Sequence, residues 1–141
     1  MSVVNFEIPG KPGAKQRPRH TRNGPTYTPK ETINYENLVK VCFLNKYPDF
    51  APINKPVTMD IYAAFPIPES WSKSKKEMAL RKEIFPGKPD WDNIGKIVSD
   101  ALNGIAYTDD SLITICLVSK YYSSTPHVSV KIATRRLDEN E

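Results

Sequence analysis

The sequence predicts a small α+β domain, and two observations carry that prediction. The chain has 141 residues, which suits one domain built around one hydrophobic core. Apolar residues recur with a period of two in some segments and of three to four in others, which predicts both strands and helices. Because the two kinds of segment do not alternate regularly, we expect about four strands and three helices in a mixed arrangement. The expected domain spans residues 1–141.

Four segments have the pattern of strands. Residues 3–8 form a short run, and residues 57–65 alternate apolar with polar or small side chains. Residues 112–122 are mostly apolar and predict a largely buried strand, whereas residues 128–132 alternate again. The tail over residues 135–141 is expected to be frayed.

The first of three expected helices has a clear beginning. Thr28 is placed as its N-cap, Pro29 at its first position and Glu31 as the residue that closes a capping box. The helix is expected to run to about Asn45. Its expected buried side carries Tyr35, Leu38, Val41 and Cys42.

Two shorter helices are expected later in the chain. Ser74 followed by Glu77 predicts a basic helix over residues 74–84. The third helix begins near Asp92 and stops at Asn103-Gly104. Its apolar positions have helical spacing and are Ile94, Ile97, Val98, Ala101 and Leu102.

Composition excludes several classes of protein. No apolar stretch approaches the roughly 20 residues that span a bilayer, and the N-terminus lacks the plan of a secretory signal, so the expected compartment is the cytoplasm. Cys42 and Cys116 are far apart in apolar runs, which argues against a zinc site or a disulfide framework and predicts reduced core side chains. The net charge of +4 permits a polyanionic partner without requiring one.

Positive charge is concentrated in residues 9–29, called here the basic segment. It has no periodicity, is kept irregular by proline and glycine, and contains no acid between Gly10 and Pro29. A solvated loop would explain the charges alone, but an acid-free connection of about 20 residues is unusual in a small domain. It suits contacts to a phosphate backbone. The basic side chains are Lys11, Lys15, Arg17, Arg19, His20 and Arg22, and those predicted to bind DNA are Lys15, Arg17, Arg19 and Arg22.

Acidic residues cluster around the start of the third helix. Asp90 is placed as an N-cap, Asp92 lies in the first turn where the helix dipole favours a carboxylate, and Lys96 follows Asp92 by four residues. Each of these three residues has an ordinary structural explanation by itself. Those explanations do not account for the occurrence of all three together. Gly95 costs the helix up to about 1 kcal/mol relative to alanine and indicates a close backbone approach.

The chemistry available to these residues depends on Asp110. Three carboxylates brought within about 5 Å repel one another unless a cation neutralises them, and hard oxygen ligands suit Mg²⁺. A lysine beside the metal stabilises charge on a phosphate oxygen or positions the attacking water. Metal-assisted phosphodiester hydrolysis uses such a set together. It requires the loop from Asn103 to Ser111 to fold back so that Asp110 joins Asp90 and Asp92.

Similar motifs are excluded by their spacing. The segment that begins at Asp90 is not an EF-hand, because Ile94 and Ala101 stand where that loop needs oxygen ligands. It is not a Walker A loop either, because Asp90 stands in place of the first glycine. No Ser/His/Asp triad is present in the pattern, and neither His20 nor His127 is predicted to be catalytic.

Three short motifs follow one another between residues 88 and 111. They are Lys88-Pro89-Asp90-Trp91-Asp92-Asn93-Ile94 with Lys96, then Asp100-Ala101-Leu102-Asn103-Gly104, then Asp109-Asp110-Ser111. In combination they resemble the signature of the RusA family of Holliday junction resolvases, which is often carried by phages and prophages. The early strand, the basic segment and the following helix also come in the same order as in that family. Trp91 and Leu112 depart from the family pattern without touching the carboxylates.

The resemblance implies a small α+β homodimer that binds four-way DNA junctions and cuts two opposed strands with Mg²⁺. It implies that Asp90, Asp92 and Asp110 bind the metal, that Lys96 is the essential lysine, and that the loop folds back to join them. Asp109 receives no role. Two alternatives stay open: a nucleic-acid-binding module without catalysis, and a nuclease for flaps or other branched DNA.

Overall fold

The structure, a computed structural model, describes residues 3–135, so most of the tail that was expected to be frayed lies outside the described residues. Among these residues, the chain forms six strands and three α-helices. In chain order they are β1 (Val3–Pro9), β2 (Arg19–His20), β3 (Thr26–Tyr27), α1 (Lys30–Lys46), β4 (Val57–Pro66), α2 (Lys73–Leu80), α3 (Trp91–Leu102), β5 (Ile113–Ser123) and β6 (His127–Thr134). The predicted α+β class is confirmed.

Four of the strands form one mixed sheet in the order β1-β6-β4-β5. β6 lies between β1 and β4 and is antiparallel to both, while β4 and β5 are parallel. The remaining two strands, β2 and β3, form a separate small hairpin inside the basic segment. The basic segment is therefore not wholly irregular, which corrects the expectation from its proline and glycine content.

The hydrophobic core lies between one face of the sheet and helices α1 and α3. Alternate residues of β1, β4 and β6 point into it, as the period of two predicts. From α3, all five of the residues with helical spacing are fully buried. Burial of a large aliphatic side chain contributes about 1.5–3 kcal/mol relative to exposure, so this helix is held firmly against the sheet. The same packing fixes the orientation of its polar side.

Helix α1 differs from the prediction in its N-cap residue and in which of its sides is buried. Its N-cap is Pro29 rather than Thr28, and no side chain caps the helix. Its fully buried residues are Thr32, Val39 and Phe43, whereas Val41 is 53% exposed. The reason is the aromatic cluster around Phe43, whose ring contacts those of Phe6, Tyr47 and Phe50 and sets the rotation of the helix. Tyr35, Leu38 and Cys42 pack at the border of the core.

Helix α2, unlike α1, begins earlier than predicted. Ser72, not Ser74, is its N-cap and accepts a hydrogen bond from the Lys75 amide at 3.2 Å. The helix ends at Leu80, four residues before the predicted end. Lys82 has a φ of 61°, in the left-handed region that a right-handed helix cannot continue through.

Strand β5 is an edge strand and is much more exposed than predicted. Within the described residues it pairs with β4 alone, and Leu117 on it is 61% exposed. The apolar run was interpreted as a buried strand because composition does not distinguish a central strand from an edge strand. Cys116 is exposed for the same reason, and Cys42 is half-buried, so the two free thiols are not the core side chains that we expected.

Candidate metal site and nucleic-acid interface

The start of α3 places two of the predicted site residues. Asp90 is the N-cap residue of the helix, but its side chain makes no capping hydrogen bond. Its Oδ1 instead accepts a hydrogen bond from Lys88 Nζ at 3.1 Å. Asp92 lies in the first turn. The capping interpretation of Asp90 therefore describes its position and not the use of its carboxylate.

A groove of about 280 Å³ runs between α3 and β5. Asp92 and Lys96 line it from α3, because residues four apart lie on the same face of a helix. Asp110 lines it from the segment that leads into β5. The apolar wall is made by Ile113, Cys116 and Val118. Three of the four predicted site residues thus share one groove, whereas Asp90 is not part of its lining.

The fold-back that brings Asp110 to the groove is visible in the loop after α3. Asn103 caps the helix, and its Oδ1 accepts a hydrogen bond from the Asp110 amide at 3.0 Å. Gly104 has a φ of 79°, and its amide donates to the Tyr107 carbonyl at 2.9 Å. Tyr107 is fully buried and its hydroxyl donates to the Ser99 carbonyl at 2.6 Å. These bonds reverse the chain within one short loop.

Asp109 and Asp110 have different surroundings. The Asp109 carboxylate accepts a hydrogen bond from the Ser111 amide at 3.0 Å and caps a short 3-10 turn over residues 110–112. Hydrogen bonds from the Ser111 side chain and from its backbone amide lower the pKa of Asp109, because they stabilise the charged form. Asp110, the next residue, faces the groove. The neighbouring acids therefore divide into a capping residue and a groove residue.

The donor set of the groove suits a hard divalent cation. Asp92 and Asp110 offer carboxylate oxygens, which Mg²⁺ prefers, and Mg²⁺ is commonly held by one or two carboxylates with waters completing its shell. Over residues 3–135, no three acidic, histidine or cysteine side chains lie close enough together to form a ready metal cluster. The two groove carboxylates therefore fit the metal by their chemistry, and the third predicted ligand, Asp90, is paired with Lys88.

The first half of the basic segment is fixed against both helices. Gly13 lies on the ring of Tyr35 so closely that an added Cβ would be 2.4 Å from a ring carbon. The Lys15 amide donates to the Asn93 carbonyl at 2.8 Å. Lys15 Nζ forms ion pairs with Glu36 on α1 at 2.8 Å and with Asp100 on α3 at 3.1 Å. The segment thus leaves the core immediately beside the groove.

The second half of the basic segment carries its arginines into solvent. Arg17, Arg19 and Arg22 are exposed, and none of them forms an ion pair with a residue of the described chain. The hairpin of β2 and β3 holds the turn that contains Arg22, with His20 Nδ1 and Thr26 Oγ1 2.9 Å apart. The three guanidinium groups are therefore available to bind anions. Lys15 differs from them, because Glu36 and Asp100 already neutralise its charge.

Sequence reasoning missed several residues that shape the site. Asp100 lines the groove and follows Lys96 by four residues, so its helical spacing could have revealed it. Asn103 and Tyr107 fix the fold-back through contacts between loop and helix. The sequence groups Lys15 with the three arginines as a DNA contact, because its two carboxylate partners are 21 and 85 residues away. Such long-range pairs leave no local signal.

The mixed sheet, the groove lined by carboxylates and a lysine, and a basic segment attached to α3 through Lys15 are features expected of a nucleic-acid-processing α+β protein. The part of that segment over residues 17–27, which carries Arg17, Arg19 and Arg22, is called here the arginine hairpin. Among the residues that the structure describes, no helix has the length and apolar character needed to span a membrane.

The family follows from comparison with known proteins. The family model described as "Endodeoxyribonuclease RusA" matches residues 9–133, and the chain belongs to this family. The match covers all the groove and hairpin residues discussed above. The chain is also 38% identical over 138 residues to the "Uncharacterized protein YqaN" of Bacillus subtilis (strain 168), with 94% of this chain and 96% of the relative covered. The family predicted from the motifs is thereby confirmed.

Proposed function

We propose that this protein is a Mg²⁺-dependent, structure-selective endodeoxyribonuclease that resolves Holliday junctions by paired incisions in opposed strands. The observation that carries the proposal is the groove shared by Asp92, Lys96 and Asp110 in a chain of an endodeoxyribonuclease family. These are the residue types that metal-assisted phosphodiester hydrolysis uses together.

The proposed roles follow from where the side chains lie. Asp92 and Asp110 would hold the cation, and Asp90, whose carboxylate accepts a hydrogen bond from Lys88, would be the third ligand. Bound Mg²⁺ supplies Lewis-acid stabilisation of the charge that develops on the phosphate. Lys96 donates a hydrogen bond to a phosphate oxygen or to the attacking water from the same helix face as Asp92.

The proposed DNA contacts belong to the basic segment, which Lys15 attaches to α3. Arg17, Arg19 and Arg22 are exposed and without carboxylate partners among the described residues, so they are available to phosphates. Two cuts in opposed strands call for two sites related by a two-fold axis, which a homodimer supplies. The dimer and the junction substrate both belong to the proposal and are tested with it.

The proposed site is tested by Asp92→Asn. We expect this variant to lose cleavage of a synthetic four-way junction in Mg²⁺ by at least about 100-fold, because the groove loses a metal-binding oxygen and a negative charge. Junction binding should persist, since the arginines are unchanged. The measurement is single-turnover cleavage beside a gel-shift binding curve. Asp49→Asn is the matched control, because Asp49 is an exposed acid outside the groove. Undiminished cleavage by Asp92→Asn would contradict the assignment.

The alternatives predict different outcomes of the same assays. A nucleic-acid-binding module without catalysis would bind the junction and leave it intact with or without Mg²⁺. A nuclease for other branched DNA would cut flaps faster than junctions. Equal rates on linear duplex and on four-way junctions would contradict structure-selective cleavage. Sedimentation of the protein alone and of its junction complex tests the homodimer.

The arginine hairpin is tested by the double variant Arg17→Ala/Arg19→Ala. We expect weaker junction binding and a salt dependence whose logarithmic slope is smaller by about two, because each lost phosphate contact removes close to one released counterion. The measurement is the dissociation constant over a series of NaCl concentrations. Lys40→Ala on α1 is a control that removes a cation outside the segment. An unchanged slope would remove the hairpin from the interface.

A further inference from the structure

One side chain of the basic segment is bound to the protein itself. Lys15 Nζ lies 2.8 Å from Glu36 Oε1 and 3.1 Å from Asp100 Oδ2, and the Lys15 side chain is 23% exposed. Its amide donates to the Asn93 carbonyl at 2.8 Å. Three elements therefore meet at this residue. They are the basic segment, α1 and α3, and α3 contacts it through both its first turn and its last turn.

The surroundings of Lys15 oppose a role as a phosphate contact. Two carboxylates already face its ammonium group, so a phosphate would have to displace one of them. Partial burial works against the charged form, but the hydrogen bonds and charges of Glu36 and Asp100 outweigh it and raise the pKa of Lys15. The Lys15 ammonium group is therefore protonated, and its positive charge is neutralised by two carboxylates of the protein itself.

Asp100 links this cluster to the proposed active site. It lines the groove together with Asp92 and Asp110, while its carboxylate is paired with Lys15. Arg17 and Arg19 follow Lys15 within four residues, so the position of Lys15 fixes where the arginine hairpin leaves the surface relative to the groove. One ammonium group thus ties the chain just before the hairpin to two helices and neutralises a groove carboxylate.

We propose that Lys15 is a positioning residue that holds the arginine hairpin beside the groove through Glu36 and Asp100, and that it does not itself contact DNA phosphates. The inference rests on the proposed nuclease function for its kinetic part. Its structural part, the attachment of the segment to the helices, holds for the free protein and is measured without DNA.

The structural part is tested by limited trypsin digestion of the free protein. In Lys15→Met we expect cleavage after Arg19 and Arg22 to be at least fivefold faster, because the segment loses both ion pairs to the helices and keeps only the backbone bond to Asn93 and the packing of Gly13 on Tyr35. Lys11→Met is the matched control, since Lys11 lies in the same segment and has no ion pair among the described residues. Lys15→Arg should restore resistance, because a guanidinium can bridge two carboxylates. Equal digestion rates for Lys15→Met and the parent protein would overturn the proposal.

The kinetic part is tested by the salt dependence of junction binding beside single-turnover cleavage. Lys15→Met should leave the logarithmic salt slope unchanged and lower the cleavage rate at saturating junction by at least tenfold, whereas Arg17→Ala should lower the slope by about one. A slope lowered equally by Lys15→Met would overturn the proposal and make Lys15 a phosphate contact. Lys15→Met/Asp100→Asn should cleave no more slowly than Lys15→Met, because the paired interaction is already lost.

The two proposals fail in different ways. If Asp92→Asn cleaves normally, the assignment of the nuclease site is wrong, and the digestion result for Lys15 still decides the attachment. If Lys15→Met digests and cleaves like the parent protein while Asp92→Asn is inactive, the nuclease site stands and the positioning role is rejected. Glu36→Gln offers a milder variant that keeps the Asp100 pair, and intermediate digestion is expected for it.

Discussion

Gly95 and Gly13 differ in the space that the surrounding atoms leave for a side chain. An added Cβ on Gly95 would lie 3.4 Å from Val118 Cγ2 and 3.7 Å from Cys116 Sγ, which are ordinary contact distances. The close approach that Gly95 was expected to serve is therefore the packing of β5, and it leaves room for one carbon. An added Cβ on Gly13 would overlap the ring of Tyr35, so any side chain at this position forces that ring to move. Only the second glycine is required by packing.

This difference predicts opposite effects of alanine. Gly95→Ala should raise the free energy of unfolding by up to about 1 kcal/mol, because alanine is the better helix former. Gly13→Ala should lower it by about 1–3 kcal/mol, because the Tyr35 ring must move. Urea denaturation of both variants and of the parent protein measures the changes. A loss of stability in Gly95→Ala would show that β5 packs too tightly for a Cβ.

At the scale of elements, β5 has two halves with different surroundings. The second half is covered, because Lys120 Nζ donates to the carbonyls of Gly87 at 2.7 Å and Pro89 at 3.1 Å. The first half, residues 113–118, contains no charged side chain and forms an exposed edge. An uncharged, apolar edge strand pairs readily with another chain. The first half of β5 is therefore open to association between copies.

A lysine on this edge should reduce association. Leu117→Lys is expected to lower self-association at high protein concentration with little change in thermal stability, because the side chain is 61% exposed and a charge opposes edge pairing. Val41→Lys is the matched control, since Val41 is 53% exposed on a helix that has no free edge. Light scattering over a concentration series makes the comparison. Equal effects of the two variants would point to general surface charge rather than to the edge.

The same elements show which parts of the fold the sequence could predict. The buried side of α3 was predicted correctly, because five apolar residues with helical spacing leave one face to pack. The buried side of α1 was not, because the contacts of Phe43 with other aromatic rings outweigh local spacing. The exposure of β5 could not be predicted either, since strand order depends on pairing between distant residues.

The candidate site was predicted in part for similar reasons. Residue types and motif spacing identified Asp92, Lys96 and Asp110, which the structure brings to one groove. The separate uses of Asp109 and Asp110 depend on a hydrogen bond that the Ser111 amide donates to Asp109, and the two adjacent aspartates do not show in the sequence which of them accepts it. The pairing of Lys15 with Glu36 and Asp100 is a tertiary contact and was equally hidden.

At the scale of the whole molecule, the sheet joins distant parts of the chain. β1 pairs only with β6 among the described strands, so Val4 lies opposite Ile132. β4 pairs with β6 on its other side, and Met59 lies opposite Ile132 as well. The core between the sheet and the two helices is therefore closed by a strand that comes last of those described. Contacts of such high sequence separation favour slow folding.

The central place of β6 has a consequence for synthesis on the ribosome. Until residues 127–134 have left the exit tunnel, β1 has no partner in the sheet and the apolar faces of β1 and β4 remain open to water. The core between the sheet and the two helices is therefore completed only after residues 127–134, the last strand of the described chain, have been synthesised. The groove between α3 and β5 rests on this core and therefore forms after the same strand has been synthesised.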